Sequence, residues 1–392
     1  MNRTKKDTIL LAPVLSRSGY GNWADEIFHA LNQNDNLDLK VMPMNWGQCV
    51  SKTTARERDK AVFAKLIQKA QKRPDLFISH NLPHIQEPMG KFNVNISAII
   101  EVDRPWPILV NGLNKYQLSI VCSQFAKDVL GNCNIKPSVP IEVVYCGVDT
   151  SIFKPDAKPQ VTVDRELANI PENEVFLFVG QTTHPHLFCD RKDMDTLIAT
   201  FCETFAGVPN KPALLLKSSG VNFSTMDKNH MLERIATVKK LVKRDDLPNI
   251  YLLHGELNEI EMAALFAHQK VIAHVNFSHG ESFGLPILQG VLSGKPTFVS
   301  NWSAPVEFIT NSIFLLDGDV KPIMPNMVSE FFPPASKWFY VNAEKAKARL
   351  LDFYHNRTKY DEPAKELAAE CANKFSIEKF TYRLNKTINK YV

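Results

Sequence analysis

Apolar runs of strand length recur along the chain, and most lead through a short polar or glycine-bearing loop into a stretch of helical periodicity. Residues 8–15, containing Ile9-Leu-Leu-Ala-Pro-Val-Leu15, read as a first strand. Past a loop over 16–22, Trp23, Ile27, Ala30 and Leu31 share one helical face, and Asn22 stands where an N-cap belongs. Further strands are expected at 38–44, 75–80, 95–103 and 118–123, with a helix over 124–130. A second series follows. Strands at 174–180, 213–219, 249–255, 271–278 and 295–300 alternate with helices over 193–205, 227–243 and 258–268, and with one from Pro286 to a stop at Gly294. Such alternation builds parallel sheets covered by helices, so an α/β chain of two Rossmann-like domains is expected. Residues 155–171 hold three prolines and little apolar periodicity, which suggests a hinge. The tail from 342 to 392 is helical in pattern. These readings divide the chain at 1–155, 156–372 and 373–392.

Composition narrows the class. A length of 392 residues exceeds one ordinary domain, and 44% hydrophobic with 22% charged residues describes a globular chain with ample core. No apolar run approaches the roughly 20 residues of a membrane span. Arg3, Lys5 and Lys6 precede an apolar run that is short, contains Pro13 and lacks a small-residue cleavage site, so it reads as a strand and not as a signal peptide. The seven cysteines are scattered and form no C-x-x-C, which points to free thiols and a cytoplasmic location.

A net charge of +4 decides little, but its placement matters. Lys52, Arg56, Arg58, Lys60, Lys65, Lys69, Lys72 and Arg73 face only Glu57 and Asp59 in a helix-prone stretch with Ala61, Phe63, Leu66 and Ile67 as an apolar stripe. This is either a solvated surface helix or a cationic face for an anionic surface, whether phospholipid headgroups or nucleic acid.

The densest chemistry lies at 271–309, which reads as strand, loop, helix, strand. His279-Gly-Glu-Ser-Phe-Gly284 feeds a helix start, whose unpaired N–H groups and dipole favour an anion, usually phosphate. Glu281 in the loop and Gln289 one turn into the helix can reach the same ligand. A phosphate cradle flanked by a carboxylate and an amide suits a sugar nucleotide. Gly19 and Gly21 follow the first strand, but no strand is followed by G-x-G-x-x-G, which disfavours a nicotinamide-dependent oxidoreductase. His80 and Asn81 end a strand and so face the ligand crevice of an open sheet, and Lys217 is a point charge for phosphate. His184, His186, Cys189 and Asp190 match no standard metal spacing.

The run E-S-F-G-L-P-x-L-Q-x-x-x-x-G-K-P resembles the E-x7-E segment of retaining glycosyltransferases of family 4. The resemblance implies a GT-B fold, with two Rossmann-like domains facing across a cleft and a last helix, beginning near Phe375-Ser-Ile-Glu-Lys-Phe380, crossing back to the first domain. It implies that Glu281 contacts donor-sugar hydroxyls and that the amides of Ser282, Phe283, Gly284 and Leu285 hold the diphosphate. Gln289 stands where the family has the Glu that binds ribose. Lys192 matches the family's phosphate-binding Lys, Gln181 takes the place of its Arg, and we read Arg191 as the replacement cation. His254 falls in the segment that touches the base, and Gly19 and Gly21 in the loop set against the donor phosphates. Glu101 occupies the position of a His near the reaction centre, with Asp103 two residues on; either carboxylate orients the acceptor or assists its deprotonation. Arg17, Tyr20, His80, Asn81 and Trp106 are the acceptor-side candidates.

The activity so implied is retaining transfer of a sugar from a nucleotide-diphosphate sugar to an acceptor hydroxyl, by front-face attack, with Glu281 positioning and not acting as nucleophile. No metal and no cofactor is obligatory in that scheme. The acceptor is a lipid-linked or cell-surface glycan at a membrane face, a hydroxymethylated base in DNA, or a small molecule; similar compact enzymes occur in tailed phages. Two other readings remain: a GT-B sugar-nucleotide epimerase, and a weakly catalytic nucleotide-sugar-binding protein, the latter suggested by Gln181 and Gln289.

Overall fold

A computed structural model describes residues 4–16, 18–47, 59–98, 100–220, 223–329 and 332–392. The chain forms two compact units, one of Met1–Gly147, Ser329–Pro333 and Phe375–Val392, the other of Val148–Val328 and Pro334–Lys374.

The first unit is built on β1 (Lys6–Ala12), β2 (Leu37–Pro43), β3 (Leu76–Ser79), β4 (Phe92–Ser97), β5 (Leu118–Val121) and β6 (Ile141–Val143). They lie in the order β2-β1-β3-β4-β5-β6, every pair parallel. Leu10, Ile78, Val94, Leu118 and Ile120 are buried to 1% exposure or less, as expected for strands covered on both faces. The helices α1 (Gly19–Asn32), α2 (Asp59–Phe63), α3 (Pro107–Leu113) and α4 (Gln124–Gly131) connect them.

The second unit opens with α5 (Val161–Ala168) and alternates β7 (Val175–Val179), α6 (Met194–Phe205), β8 (Ala213–Lys217), α7 (Thr225–Leu241), β9 (Ile250–Leu253), α8 (Glu259–Ala267), β10 (Val271–Asn276), α9 (Leu285–Leu292), β11 (Thr297–Ser300) and β12 (Leu315–Leu316). Its sheet runs β12-β11-β10-β7-β8-β9, again all parallel. An antiparallel hairpin, β13 (Gly318–Pro322) and β14 (Lys337–Val341), precedes α10 (Ala343–His355) and α11 (Thr358–Lys374). The last helix, α12 (Ile377–Tyr391), returns to the first unit. There Asn385 Nδ2 donates to Ala30 O at 2.7 Å at the end of α1.

Several local expectations give way. Ser18, not Asn22, caps α1, its hydroxyl accepting from Gly21 N at 2.9 Å. Gly19 and Gly21 therefore belong to the first helical turn and not to the loop. A Cβ on Gly21 would lie 2.0 Å from Ser16 O, so only glycine lets the loop fold this tightly. Of the helix expected over 52–73, residues 52–58 lie outside the described residues, and only Asp59–Phe63 is helical. Beyond it the chain follows β2, with Val41 N donating to Lys65 O and Ile67 N to Val41 O. Pairing with the open sheet edge thus wins over helix continuation. The strand expected at 95–103 is Phe92–Ser97, and Ile100 and Val102 are buried in the loop after it. The proline-rich stretch 155–171 contains α5, held by Val163 and Leu167 one turn apart on a buried face. The hairpin β13–β14 was not anticipated. Six cysteines are free and buried, and Cys49 lies outside the described residues.

Candidate functional site

In the second sheet β7 and β10 are neighbours, yet the chain departs from them toward opposite edges. Such a switch point opens a crevice beyond the carboxyl ends of the strands. The loops after β7 and β10 meet there, which brings together residues 89 apart in sequence.

Glu281 is 5% exposed. Its Oε1 lies 2.5 Å from Lys192 Nζ and its Oε2 3.2 Å from Arg191 Nη1. Arg191 Nη1 also donates to Gly280 O at 2.7 Å. Burial pushes the Glu281 carboxyl up, but the two cations outweigh burial and hold it well below the usual carboxylate range. It is ionised at neutral pH and is no proton donor there. The cluster of one carboxylate and two cations carries net positive charge.

The surrounding loops are fixed by backbone bonds. Asp190 accepts from Lys192 N at 2.8 Å and, through its other oxygen, from Thr183 N and His184 N at 2.7 and 2.9 Å. Arg234, on α7, grips Asp195 at 2.7 and 2.5 Å and donates to His184 O and His186 O, pinning the β7–α6 loop. His279 is enclosed: its Nδ1 is 2.7 Å from Phe339 O, Phe339 N donates to His279 O, and its ring stacks on Trp338. The hairpin strand β14 thus clamps the Glu281 loop. Arg234 carried no local sequence signal, and His279 was legible only as the start of its loop, because their partners lie far along the chain. On the other side Glu281 N donates to Ser303 Oγ at 3.0 Å.

Ser282 and Phe283 are buried, and Phe283 packs on Phe308. Gly284 has φ 91°, a left-handed conformation that favours glycine, and no side chain caps α9 behind it. Leu285 and Gln289 are half-buried on α9. Pro286 is the second residue of that helix, and Gly294, at φ 75°, lies beyond its end.

A second group lines the ends of β8 and β9. Lys217 Nζ donates to Gly255 O at 2.5 Å and sits 5.4 Å from the centre of the Phe223 ring. Burial pushes its ammonium down to about 8. His254 Nε2 is 2.8 Å from Asp227 Oδ2, which also accepts from Gly220 N at 3.0 Å. Gln181 Nε2 donates to Gly220 O at 2.7 Å.

In the first unit the switch point falls between β1 and β3. Tyr20 is sandwiched there between Trp46 and His80, at centroid distances of 3.9 and 4.1 Å. His80 is fully buried, with Nδ1 3.0 Å from Ile96 O and Nε2 3.2 Å from Tyr20 O. Burial pushes the ring down to about 4, so it is neutral near pH 7. Asn81 is buried, its side-chain oxygen accepting from Leu82 N. Gly19 is exposed with open space around it. Glu101 and Asp103 are half-buried in the loop after β4, where Asp103 lies 3.8 Å from Arg104. Trp106 Nε1 donates to Ser329 O at 2.9 Å. Arg17 lies outside the described residues. So do Lys52, Arg56 and Arg58 of the basic stretch. Lys72 reaches Asp7 at 3.5 Å and Arg73 donates to Gly90 O, which sets both at the amino end of the sheet, away from His80.

Among the described residues no group of three or more His, Cys, Asp or Glu is placed to hold a metal, and no helix is long and apolar enough to cross a membrane.

The architecture matches solved structures over nearly its whole length. Sucrose-phosphate synthase from Thermosynechococcus elongatus superposes with a TM-score of 0.67 at 12% identity, over 98% of this chain and 99% of that one. Anabaena HepE in complex with UDP-glucose gives 0.66 at 14% identity, over 98% and 100%. An alpha,alpha-trehalose-phosphate synthase (UDP-forming) from Burkholderia vietnamiensis gives 0.66 at 11% identity, over 99% of each chain. The fold is GT-B. At these identities the likeness is one of fold. No protein-family model matches the chain, and no curated protein matches it in sequence.

Proposed function

We propose that this GT-B chain is a glycosyltransferase that takes a sugar from a nucleoside-diphosphate sugar and delivers it, with retention, to an acceptor hydroxyl. The observation that carries the reading is the ion-paired cluster of Glu281, Arg191 and Lys192 at the switch point of the second sheet. Transfer builds negative charge on the departing diphosphate. Two fixed cations and the uncapped start of α9 offset that charge without reorganising. Glu281 stays ionised, so it accepts hydrogen bonds from sugar hydroxyls and orients the ring instead of protonating the leaving group. The proton of the attacking hydroxyl passes to the leaving phosphate.

An anionic acceptor fits the charge distribution. The first unit carries 22 Lys and Arg against 15 Asp and Glu, whereas the second carries 24 against 27. Such a difference concentrates an anionic partner at the first unit.

The test is a thermal-shift screen of sugar nucleotides, followed by assay of nucleotide release with and without acceptor. A donor that raises the melting temperature and is turned over only with acceptor supports the reading. An isomeric nucleotide sugar formed without acceptor would make the chain an epimerase, and binding without turnover a binding module. No shift with any sugar nucleotide would end the donor reading.

A further inference from the structure

The proposed donor needs a place for its base, and the sheet supplies a ruler. Glu281 follows β10, Arg191 and Lys192 follow β7, Lys217 ends β8, and His254 follows β9. These four strands are consecutive neighbours in the sheet, each about 4.8 Å from the next. On the other side of β10 the space is filled, because Ser303 Oγ and Ala304 N bond the Glu281 backbone and Pro305 abuts Gly284. A nucleotide sugar anchored at Glu281 therefore extends across β7 toward β8 and β9.

Lys217 meets it there. Its ammonium has three donors and one observed acceptor, Gly255 O. Among the described residues no carboxylate lies within 4.0 Å of it, unlike Arg191 and Lys192. Beside it Ser218 Oγ is buried at 2% exposure with no hydrogen-bond partner. Phe223, 42% exposed, stands over the ammonium and next to His254. An ammonium donates and never accepts. It welcomes a ring carbonyl and repels an exocyclic amino group.

Resting on the proposed function, we infer that Lys217 sets the donor's base, selecting nucleotides with a carbonyl at position 4 of a pyrimidine or position 6 of a purine (uracil or guanine) over those with an amino group there (cytosine or adenine). Uracil and cytosine differ chiefly at position 4, so they make the cleanest pair.

The experiment is titration calorimetry of UDP, CDP, GDP, ADP and inorganic pyrophosphate against the wild type, Lys217→Met and Lys217→Gln, with thermal midpoints to verify folding. The wild type is expected to bind UDP at least about tenfold tighter than CDP, the worth of one hydrogen bond to a charged group. Lys217→Met is expected to abolish that preference while leaving pyrophosphate affinity unchanged. Lys217→Gln, whose amide both donates and accepts, narrows the gap. Equal affinity of the wild type for UDP and CDP overturns the inference. So does an equal loss of UDP, CDP and pyrophosphate in Lys217→Met, which would make Lys217 a phosphate contact within an intact donor site. If neither nucleotides nor pyrophosphate bind the wild type, the donor reading itself falls and the inference with it.

Discussion

Replacing Glu281 by Gln separates its electrostatic role from its shape. The side chain is 7% exposed, and its cationic partners Arg191 and Lys192 are 19% and 12% exposed. Removing one partner of a buried ion pair costs about 3–5 kcal/mol, because the remaining charge stays buried without compensation. For the second unit, a domain of roughly 220 residues, that is a fall in melting temperature of roughly 6–20 °C. The same change has the opposite effect on nucleotide binding. A phosphate oxygen seated on Lys192 lies about 5 Å from the carboxylate, where repulsion between unit charges reaches about 3 kcal/mol at an effective dielectric near 20. Relieving it tightens UDP binding by up to about a hundredfold. Thermal denaturation and calorimetry with UDP read the two effects in one preparation. A variant that is less stable yet binds UDP more tightly is the expected outcome. Unchanged stability together with unchanged UDP affinity would refute the ion-pair account. In the Ala variant transfer is expected to disappear while UDP still binds, and full activity would remove Glu281 from the sugar site.

Other outcomes follow from single features. Gly21→Ala brings a methyl group against the Ser16 carbonyl, so it is expected to destabilise the first unit and lower the melting temperature; a neutral result would contradict the tight loop. His80 and His274, pushed by burial down to about 4 and about 3, are neutral when folded and protonate only on unfolding. The unfolded chain then binds more protons below about pH 6.5, so stability is full above that value and falls as pH drops toward 4, by up to about 1.4 kcal/mol per pH unit for each ring. Urea midpoints at pH 7.5, 6 and 5 measure the slope, and a flat profile would contradict it. Lys217, near pKa 8, is expected to lose its charge in alkali, so UDP affinity should weaken between about pH 7 and 9. Because Arg191 and Lys192 supply the positive charge, chelators are expected to leave turnover unchanged; a rate restored only by a divalent ion would argue otherwise.

Legibility in the sequence followed the strength of local patterns. β7 is a continuous apolar run, β8 is apolar up to Lys217 and β10 is apolar but for His274 and Asn276, and the alternation that surrounds them already implied a parallel sheet. β4 is hard to place from sequence because Asn93, Asn95 and Ser97 are buried polar residues, with Asn93 donating to Gln117, Asn95 to Asn81 O and Ser97 to Asn95, so the strand lacks the apolar signature that 99–102 carries. Glu281, Arg191 and Lys192 were each legible as candidates. Their contact was not, since it depends on β7 and β10 becoming neighbours across 89 residues. The clamp on His279 was hidden for the same reason: its partner strand belongs to a hairpin with an exposed, charged first strand and weak alternation.

The return of α12 to the first unit has a consequence during synthesis. Asn385 reaches back to Ala30, and Lys390 pairs with Glu142 at 2.7 Å. The first unit therefore cannot complete its packing until residues 375–392 have been made. The second unit, complete by Lys374, is free to fold earlier. The half that is translated first is thus the half that finishes last, and α1 keeps an uncovered flank for the whole interval.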